Sequence, residues 1–146
     1  MYVNMVDVKR EASLRESIES LYFGYRAFTA GPDRILAARG LGRVHHRILY
    51  FVGRNEDCSV SGLLDVLAVT KQALHAPLRQ LMEMGLVESR AAPDDRRRKR
   101  LRLTVAGERL EAKLTATQLK LLDEVFAEVG PTAERGWKRA MQRLAK

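Results

Sequence analysis

Apolar residues recur every three or four positions along much of the chain, the spacing expected of α-helices that bury one face. The first stripe predicts a helix over residues 10–29, and its members are Leu14, Ile18, Leu21, Tyr25 and Phe28. Gly31-Pro32 is expected to end that helix, and Pro32 can open a short second helix that stops at Gly40. A third helix is predicted over residues 43–54.

The next two predicted helices lie unusually close together. Ser59 or Ser61 can cap the first, and Thr70 can cap the second, which is expected to end at Gly85. Only Ala68-Val69 separates the two helices. A joint this short is typical of a helix-turn-helix.

The C-terminal part of the chain is expected to be helical again. Thr104 should begin a long helix that ends near Val129, and Thr132 should cap a last helix after Gly130-Pro131. The apolar side chains of the long helix form two adjoining stripes, a wider face than packing on one small domain requires. The pattern as a whole predicts a mainly α fold.

Charge indicates the class of partner. The 146 residues suit one domain, and the net charge of +8 with a pI near 10.1 favours a polyanion, nucleic acid before a membrane surface. The densest positive charge is the run Arg96–Arg100. It follows a predicted strand at 86–90 and continues into a second predicted strand at 99–104. From Arg90 to Arg102, seven cations stand against two acids. A small basic β-hairpin directly after a helix-turn-helix predicts a winged helix-turn-helix, with the hairpin as the wing.

The second helix of the pair has one apolar and one polar face. Its inward positions are Leu74, Leu78 and Leu81, and its outward positions are Lys71, Gln72, His75, Ala76 and Arg79. The outward side chains suit base edges and phosphates in a major groove. Pro77 lies beyond the first turn, in the helix interior, where a proline costs about 3 kcal/mol. We expect a kink near residues 73–77 or, alternatively, a helix that begins at Pro77.

The spacing of four short motifs resembles the MarR family of bacterial transcription regulators. The motifs are Leu81, Gly85-Leu86-Val87, Asp95-Arg96-Arg97 and Leu103-Thr104 followed by Gly107. The resemblance implies a single MarR-like domain over residues 1–146, with a winged helix-turn-helix lobe at about 41–107. Helices at about 10–39 and 105–146 would then interlock as the dimerisation helices of a homodimer.

The same resemblance implies which residues contact double-stranded DNA. They are Thr70, Lys71, Gln72, His75, Arg79, Arg90, Arg96, Arg97 and Arg98. Arg97 or a neighbouring arginine would enter the minor groove, and Asp95 would brace the wing through a carboxylate–guanidinium pair two residues on. Family members commonly respond to small aromatic or anionic ligands in a cleft between the dimer helices and the DNA-binding lobe. This chain departs from the family at Ala76, where many relatives have arginine, and in its more basic wing.

These observations lead to one functional hypothesis and two alternatives. The hypothesis is a sequence-specific DNA-binding transcriptional regulator, a ligand-responsive repressor that acts as a homodimer in the cytoplasm. The first alternative is an architectural DNA-binding protein with little sequence preference and no effector. The second is a ligand-binding or protein-binding dimer that has lost operator binding.

Other classes of function find little support in the sequence. No nucleophile, base and orienting acid occur together, so neither an enzyme nor a cofactor is expected. His45, His46 and His75 lack the spacing of metal ligands, and no metal is expected. Cys58 is expected to be structural rather than an oxidant-sensing thiol. No apolar run has the length of a membrane-spanning helix.

Overall fold

The computed structural model describes residues 5–55 and 57–146 of the chain, and it confirms the mainly α fold class. Six helices and three short strands follow one another within these residues. The helices are α1 (Met5–Ala37), α2 (Arg43–Arg54), α3 (Val60–Leu67), α4 (Lys71–Glu83), α5 (Val105–Val129) and α6 (Pro131–Leu144). The strands are β1 (Cys58–Ser59), β2 (Val87–Ala91) and β3 (Lys99–Leu103).

Helix α1 corrects the expectation that Gly31-Pro32 ends the first helix, because it continues through Pro32 to Ala37. Pro32 cannot donate to the carbonyl of Phe28, and the side-chain amide of Gln118 on α5 donates to that carbonyl at 3.4 Å instead. An added Cβ at Gly31 would lie 3.2 Å from the side chain of Thr117. The Gly-Pro pair therefore serves close packing of α1 on α5 rather than helix termination.

The helix-turn-helix forms as the sequence predicts. Ser59, and not Ser61, caps α3, since its hydroxyl accepts from the N–H of Gly62 at 3.0 Å. Ala68 reverses the chain in the left-handed conformation, with φ of 52°. Helix α4 begins at Lys71 after the Thr70 cap, so the alternative start at Pro77 is wrong, and Pro77 lies inside the helix.

The wing contains one strand more than predicted. Strands β2 and β3 pair antiparallel, with Val87 opposite Leu103 and Ala91 opposite Lys99. The additional strand β1 pairs with the other edge of β3, where Cys58 lies opposite Leu101. Two residues are too short for a periodic signal, so β1 could not be found from the sequence.

A leucine-rich core holds α2, α3, α4 and the sheet together. Its fully buried members include Ile48, Leu49, Leu63, Leu81 and Leu101. The inward positions of α4 that the sequence predicted, Leu74, Leu78 and Leu81, all belong to this core. The outward face of α4 is therefore fixed by how its leucines are buried.

The C-terminal helices follow directly from β3. Thr104 caps α5 as predicted, accepting from the N–H of Gly107 at 3.0 Å. Thr132, however, does not cap α6: Gly130 occupies the cap position and Pro131 the first turn, where its fixed φ suits a helix start. Among the described residues, no helix combines the length and apolar character needed to cross a bilayer.

Candidate nucleic-acid interface

The outward face of α4 is open to solvent. We call Lys71, Gln72, His75, Ala76 and Arg79 the recognition face, and all five are exposed. Thr70 uses its hydroxyl to accept from the N–H of Ala73 at 3.1 Å, so its side chain stabilises the start of the helix. Arg79 donates to Glu83 one turn further on at 2.9 Å, in an exposed ion pair.

The tip of the wing concentrates cations that have no acidic partner among the residues the structure describes. We call Arg96, Arg97, Arg98 and Lys99 the wing tip, and all four are exposed. No salt bridge joins any of them to an acidic residue within the described part of the chain. The N–H of Ala92 donates to the carbonyl of Arg98 at 2.8 Å and closes the loop at its base.

Asp95 shapes the wing tip in a different way from the one predicted. Its carboxylate accepts from the backbone N–H of Arg97 at 2.9 Å. No ion pair between Asp95 and a guanidinium occurs among the described residues, so the predicted pair is wrong. An aspartate side chain readily accepts from the backbone two residues on in a turn, and this bond leaves the guanidinium of Arg97 free to point away.

The cations nearer the base of the wing have partners. Arg90 pairs with Glu88 at 3.1 Å on the same strand. Arg100 donates to the backbone carbonyl of Asp57 at 2.7 Å, and Arg102 lies 3.6 Å from the carboxylate of Asp57. The sequence analysis missed the role of Asp57, since more than forty positions separate it from these arginines and no local pattern connects them. The basic run is thus divided into a structural base and an unpaired tip.

A pocket of about 350 Å³ lies between α1, α2 and α5. Its wall includes the aromatic side chains of Tyr25, Phe28, Tyr50 and Phe51. Two arginines of α2 also line it, and both are engaged. Arg43 donates to both oxygens of Asp33, with its shortest bond at 2.9 Å, and Arg47 donates to the hydroxyl of Tyr25 at 2.8 Å.

The pKa values of two ionisable groups in the pocket differ from their ordinary values. The hydrogen bond and charge of Asp33 raise the pKa of the Arg43 guanidinium above its ordinary value. Burial lowers the pKa of His46, against the opposing charges of Glu111 and Asp33. The Nε2 atom of His46 is buried and has no hydrogen-bond partner within the described residues. The neutral His46 ring therefore carries a buried, unpaired nitrogen beside a largely apolar pocket wall.

Cys58 is half-buried on β1. Burial raises the pKa of its thiol, which the nearby charge of Arg100 only partly opposes. A raised pKa lowers the fraction of reactive thiolate at neutral pH. Among the residues that the structure describes, no group of three or more histidine, cysteine or acidic side chains is arranged to hold a metal ion.

The terminal helices leave a large apolar surface uncovered. We call this surface the terminal-helix face, and it comprises Leu14, Ile18, Leu21, Tyr22 and Phe23 on α1, Leu119, Val125 and Val129 on α5, and Trp137 and Leu144 on α6, all of them exposed. Phe126 and Trp137 meet edge to face across the α5–α6 joint, with ring centroids 5.4 Å apart. So many exposed large apolar side chains on three neighbouring helices are typical of an interaction site.

Comparison with known proteins agrees with this architecture. A model of the MarR family matches residues 39–98. The chain is 40% identical to the HTH-type transcriptional regulator PetP of Rhodobacter capsulatus, over 92% of this chain and 81% of that protein.

Solved structures show the same fold. A Staphylococcus aureus MarR protein in complex with salicylate and kanamycin superposes with a TM-score of 0.75, at 21% identity, over 94% of this chain and 93% of that one. A Staphylococcus aureus MepR variant bound to an oligodeoxyribonucleotide superposes with a TM-score of 0.63, at 14% identity, over 88% and 95% of the two chains. With its winged helix-turn-helix and its kinship to PetP, the chain belongs to the MarR family of transcriptional regulators, whose members are not enzymes.

Proposed function

We propose that this MarR family regulator is a homodimeric repressor that binds a specific operator and releases it when a small ligand occupies the pocket. The observation that carries the proposal is that one lobe presents two exposed surfaces side by side in the chain, a polar helix face and a basic hairpin tip. The recognition face is held outward by the buried leucines of α4, and the wing tip has no acidic partner among the described residues. Both surfaces have the chemistry that a DNA groove requires.

The recognition face is suited to reading bases. Gln72 can pair bidentately with adenine and Arg79 with guanine, while Lys71 and the N-terminus of α4 favour phosphates. Both side chains of the Arg79–Glu83 ion pair are exposed, so the pair contributes little to stability. Arg79 can exchange that partner for a base edge at small cost.

The wing tip is suited to a minor groove. Arginine side chains insert there because negative potential is concentrated between the closely spaced backbones. The hydrogen bond between Asp95 and the backbone of Arg97 fixes the turn, and no acidic residue in the described part of the chain pairs with the guanidiniums of the tip. Arg90 is tied to Glu88 on the strand, so we assign it a weaker phosphate contact than the three arginines of the tip.

The terminal-helix face supports a homodimer. This face lies on residues at about 10–39 and 105–146. Its side chains, such as Ile18, Leu119 and Leu144, are exposed in the single chain, and burying them would gain about 25 cal/mol for each Å² of apolar area. Covering this surface with a second copy would place two recognition helices together. Such a pair reads two half-sites about one helical turn apart on DNA.

The pocket supports control by a ligand. It lies between the terminal helices and α2, and its aromatic wall suits a small aromatic molecule. The structural neighbour from Staphylococcus aureus was solved with salicylate, which is of this chemical class. A ligand that binds better to a lobe spacing different from the DNA-binding one would shift the population away from the DNA-binding form.

Selection of bound fragments from a random duplex library at physiological salt tests the proposal. We expect enrichment of an inverted repeat with half-sites about one helical turn apart. Tight binding without enrichment would instead support an architectural protein, which the dense charge of the wing tip favours. An absence of binding would leave the ligand-binding or protein-binding dimer.

Two substitutions separate base reading from backbone attraction. Arg79→Ala should weaken operator binding by about 1–3 kcal/mol and random-DNA binding much less, because base contacts carry sequence information. Arg97→Ala should weaken both and reduce the slope of log affinity against log salt by about one. Fluorescence anisotropy on the two duplexes measures both effects, with Arg143→Ala on α6 as the control. Equal weakening by Arg79→Ala on both duplexes would contradict the assignment of the recognition face.

A further inference from the structure

A chain of hydrogen bonds joins α4 to the turn before α2. The backbone N–H of Gly42 donates to Nδ1 of His45 at 2.9 Å, so this ring nitrogen is the acceptor. The proton of the neutral ring is then on Nε2, which donates to the Oε1 of Gln80 at 2.8 Å. The amide of Gln80 lies 3.5 Å from the carbonyl of Gly40 and closes the chain on the same turn.

His45 is held in place for this contact. It is buried, with 8% of its surface exposed, and it occupies the third position of α2, where its ring accepts from the backbone N–H of the N-cap residue Gly42. A buried polar group that loses its partner costs more than the bond itself contributes. The ring orientation is therefore strongly determined from the α2 side, and Gln80 is aligned to it.

Gln80 is the polar link between α4 and the rest of the lobe. It lies between Arg79 of the recognition face and Leu81 of the core. Within the described residues, the side-chain hydrogen bonds that join α4 to another element both belong to Gln80. Leucine packing is not directional, whereas a hydrogen bond weakens steeply when its angle changes. The buried leucines decide which side of α4 faces outward, and this pair adds a directional constraint on the rotation of α4 about its axis.

We propose that His45 and Gln80 are positioning residues that fix the rotation of α4, and through it the base edges that the recognition face reaches. The inference rests on the proposed function, since it concerns specific operator binding. Neither residue needs to touch DNA.

Two substitutions break the contact from opposite sides. Gln80→Met keeps the length and helix propensity of the side chain but removes the acceptor. His45→Asn keeps an oxygen for the N–H of Gly42 but is too short to reach Gln80. We expect each variant to reduce the ratio of operator to random-DNA affinity by about tenfold, comparable with the loss of one base contact. Affinity for random DNA should change little, because the wing tip and phosphate contacts are untouched.

A double-mutant cycle and matched controls make the test decisive. If both residues act through one bond, the double variant should lose no more operator preference than either single variant. Gln142→Met on α6 makes the same replacement at an exposed site away from α4 and should keep the preference. Thermal unfolding shows whether a variant has lost only stability. Unchanged operator preference in folded Gln80→Met and His45→Asn would overturn this inference alone.

The wild-type protein provides a check that does not depend on any substitution. Nitrogen NMR of the histidine rings should show His45 protonated on Nε2, with a ring proton protected from solvent exchange in the free protein and in the operator complex. Protonation on Nδ1, or rapid exchange of the ring proton, would overturn the inference. A wild-type protein without operator preference would overturn the proposed function and this inference together.

Discussion

Apolar side chains are buried to different extents in two regions of the chain. One region is the lobe formed by α2 to β3, and the other comprises the terminal helices α1, α5 and α6. In the lobe, Leu63, Leu81 and Leu101 are completely buried. On the terminal helices, Ile18, Leu119 and Leu144 remain between 63% and 67% exposed. Both regions are rich in leucine and helix, so composition does not distinguish them.

The difference indicates that the two regions reach stability by different routes. The lobe closes its core within one chain, and this gives α4 a fixed outward face. The terminal helices bury only part of their apolar surface within the chain, and we propose that a second copy covers the rest. Each chain would then provide one rigid DNA-binding lobe, and the terminal helices would set an adjustable spacing between the two lobes of the dimer. Three predictions test this contrast.

The largest effect is expected where α5 leaves the lobe. A Cβ at Gly107 would overlap the carbonyl oxygen of Leu86, and a backbone atom cannot move aside easily. Gly107→Ala should therefore lower the free energy of unfolding by about 3 kcal/mol, the upper part of the range for overpacking. Urea unfolding at several protein concentrations measures this loss. The loss should not depend on concentration if it arises within one chain.

Gly136→Ala on α6 is the matched comparison. A Cβ there meets nothing within 4 Å, and alanine favours a helix over glycine by about 1 kcal/mol. We expect unchanged or slightly increased stability. A loss at Gly136 as large as that at Gly107 would show that the terminal helices are as tightly closed as the lobe, and the contrast would fail.

A smaller effect on folding, but a clear one on assembly, is expected at the terminal-helix face. Ile18→Glu places a charge where we propose that the partner packs, and an unpaired buried charge is costly. The dimer dissociation constant should rise at least about tenfold, which sedimentation equilibrium measures. Ser13→Glu introduces the same charge on the side of α1 away from Ile18 and should leave assembly unchanged. Equal dissociation constants for Ile18→Glu and the wild type would place the partner elsewhere.

The smallest effect concerns the pocket between the two regions. Because the pKa of His46 is lowered in the folded chain, the unfolded chain binds a proton first as the pH falls through the ordinary value of 6.5. This group therefore contributes stability that is present above that pH and lost as the pH falls below it. His46→Gln should reduce the loss of stability between neutral pH and mildly acidic pH. His75→Gln, on the exposed recognition face, should not reproduce the change in chemical unfolding curves.

Local sequence signals predicted most of the helices and their caps. The range 43–54 coincides with α2, and Thr70 and Thr104 cap α4 and α5 as expected. These signals succeed because a cap depends on residues within one turn of each other. The spacing of Leu74, Leu78 and Leu81 likewise identified the buried face of α4, and with it the recognition face.

Signals from proline and from isolated charges were less reliable. The sequence predicted a helix end at Pro32, yet Gln118 replaces the missing hydrogen bond from another helix. The resemblance to the MarR family implied an ion pair for Asp95, which accepts a backbone N–H instead. The sequence analysis also treated the basic run as one unit, whereas Asp57 holds Arg100 and Arg102 at the base of the wing.

By itself, the sequence determined the fold class, the helix-turn-helix and the recognition face, because periodicity and capping act over a few residues. The tertiary structure decided which arginines remain unpaired, how α1 passes through Pro32, and how His45 meets Gln80. Each of these depends on groups that lie far apart in the chain. Their energies are set by directional bonds and local burial, which no sequence period records.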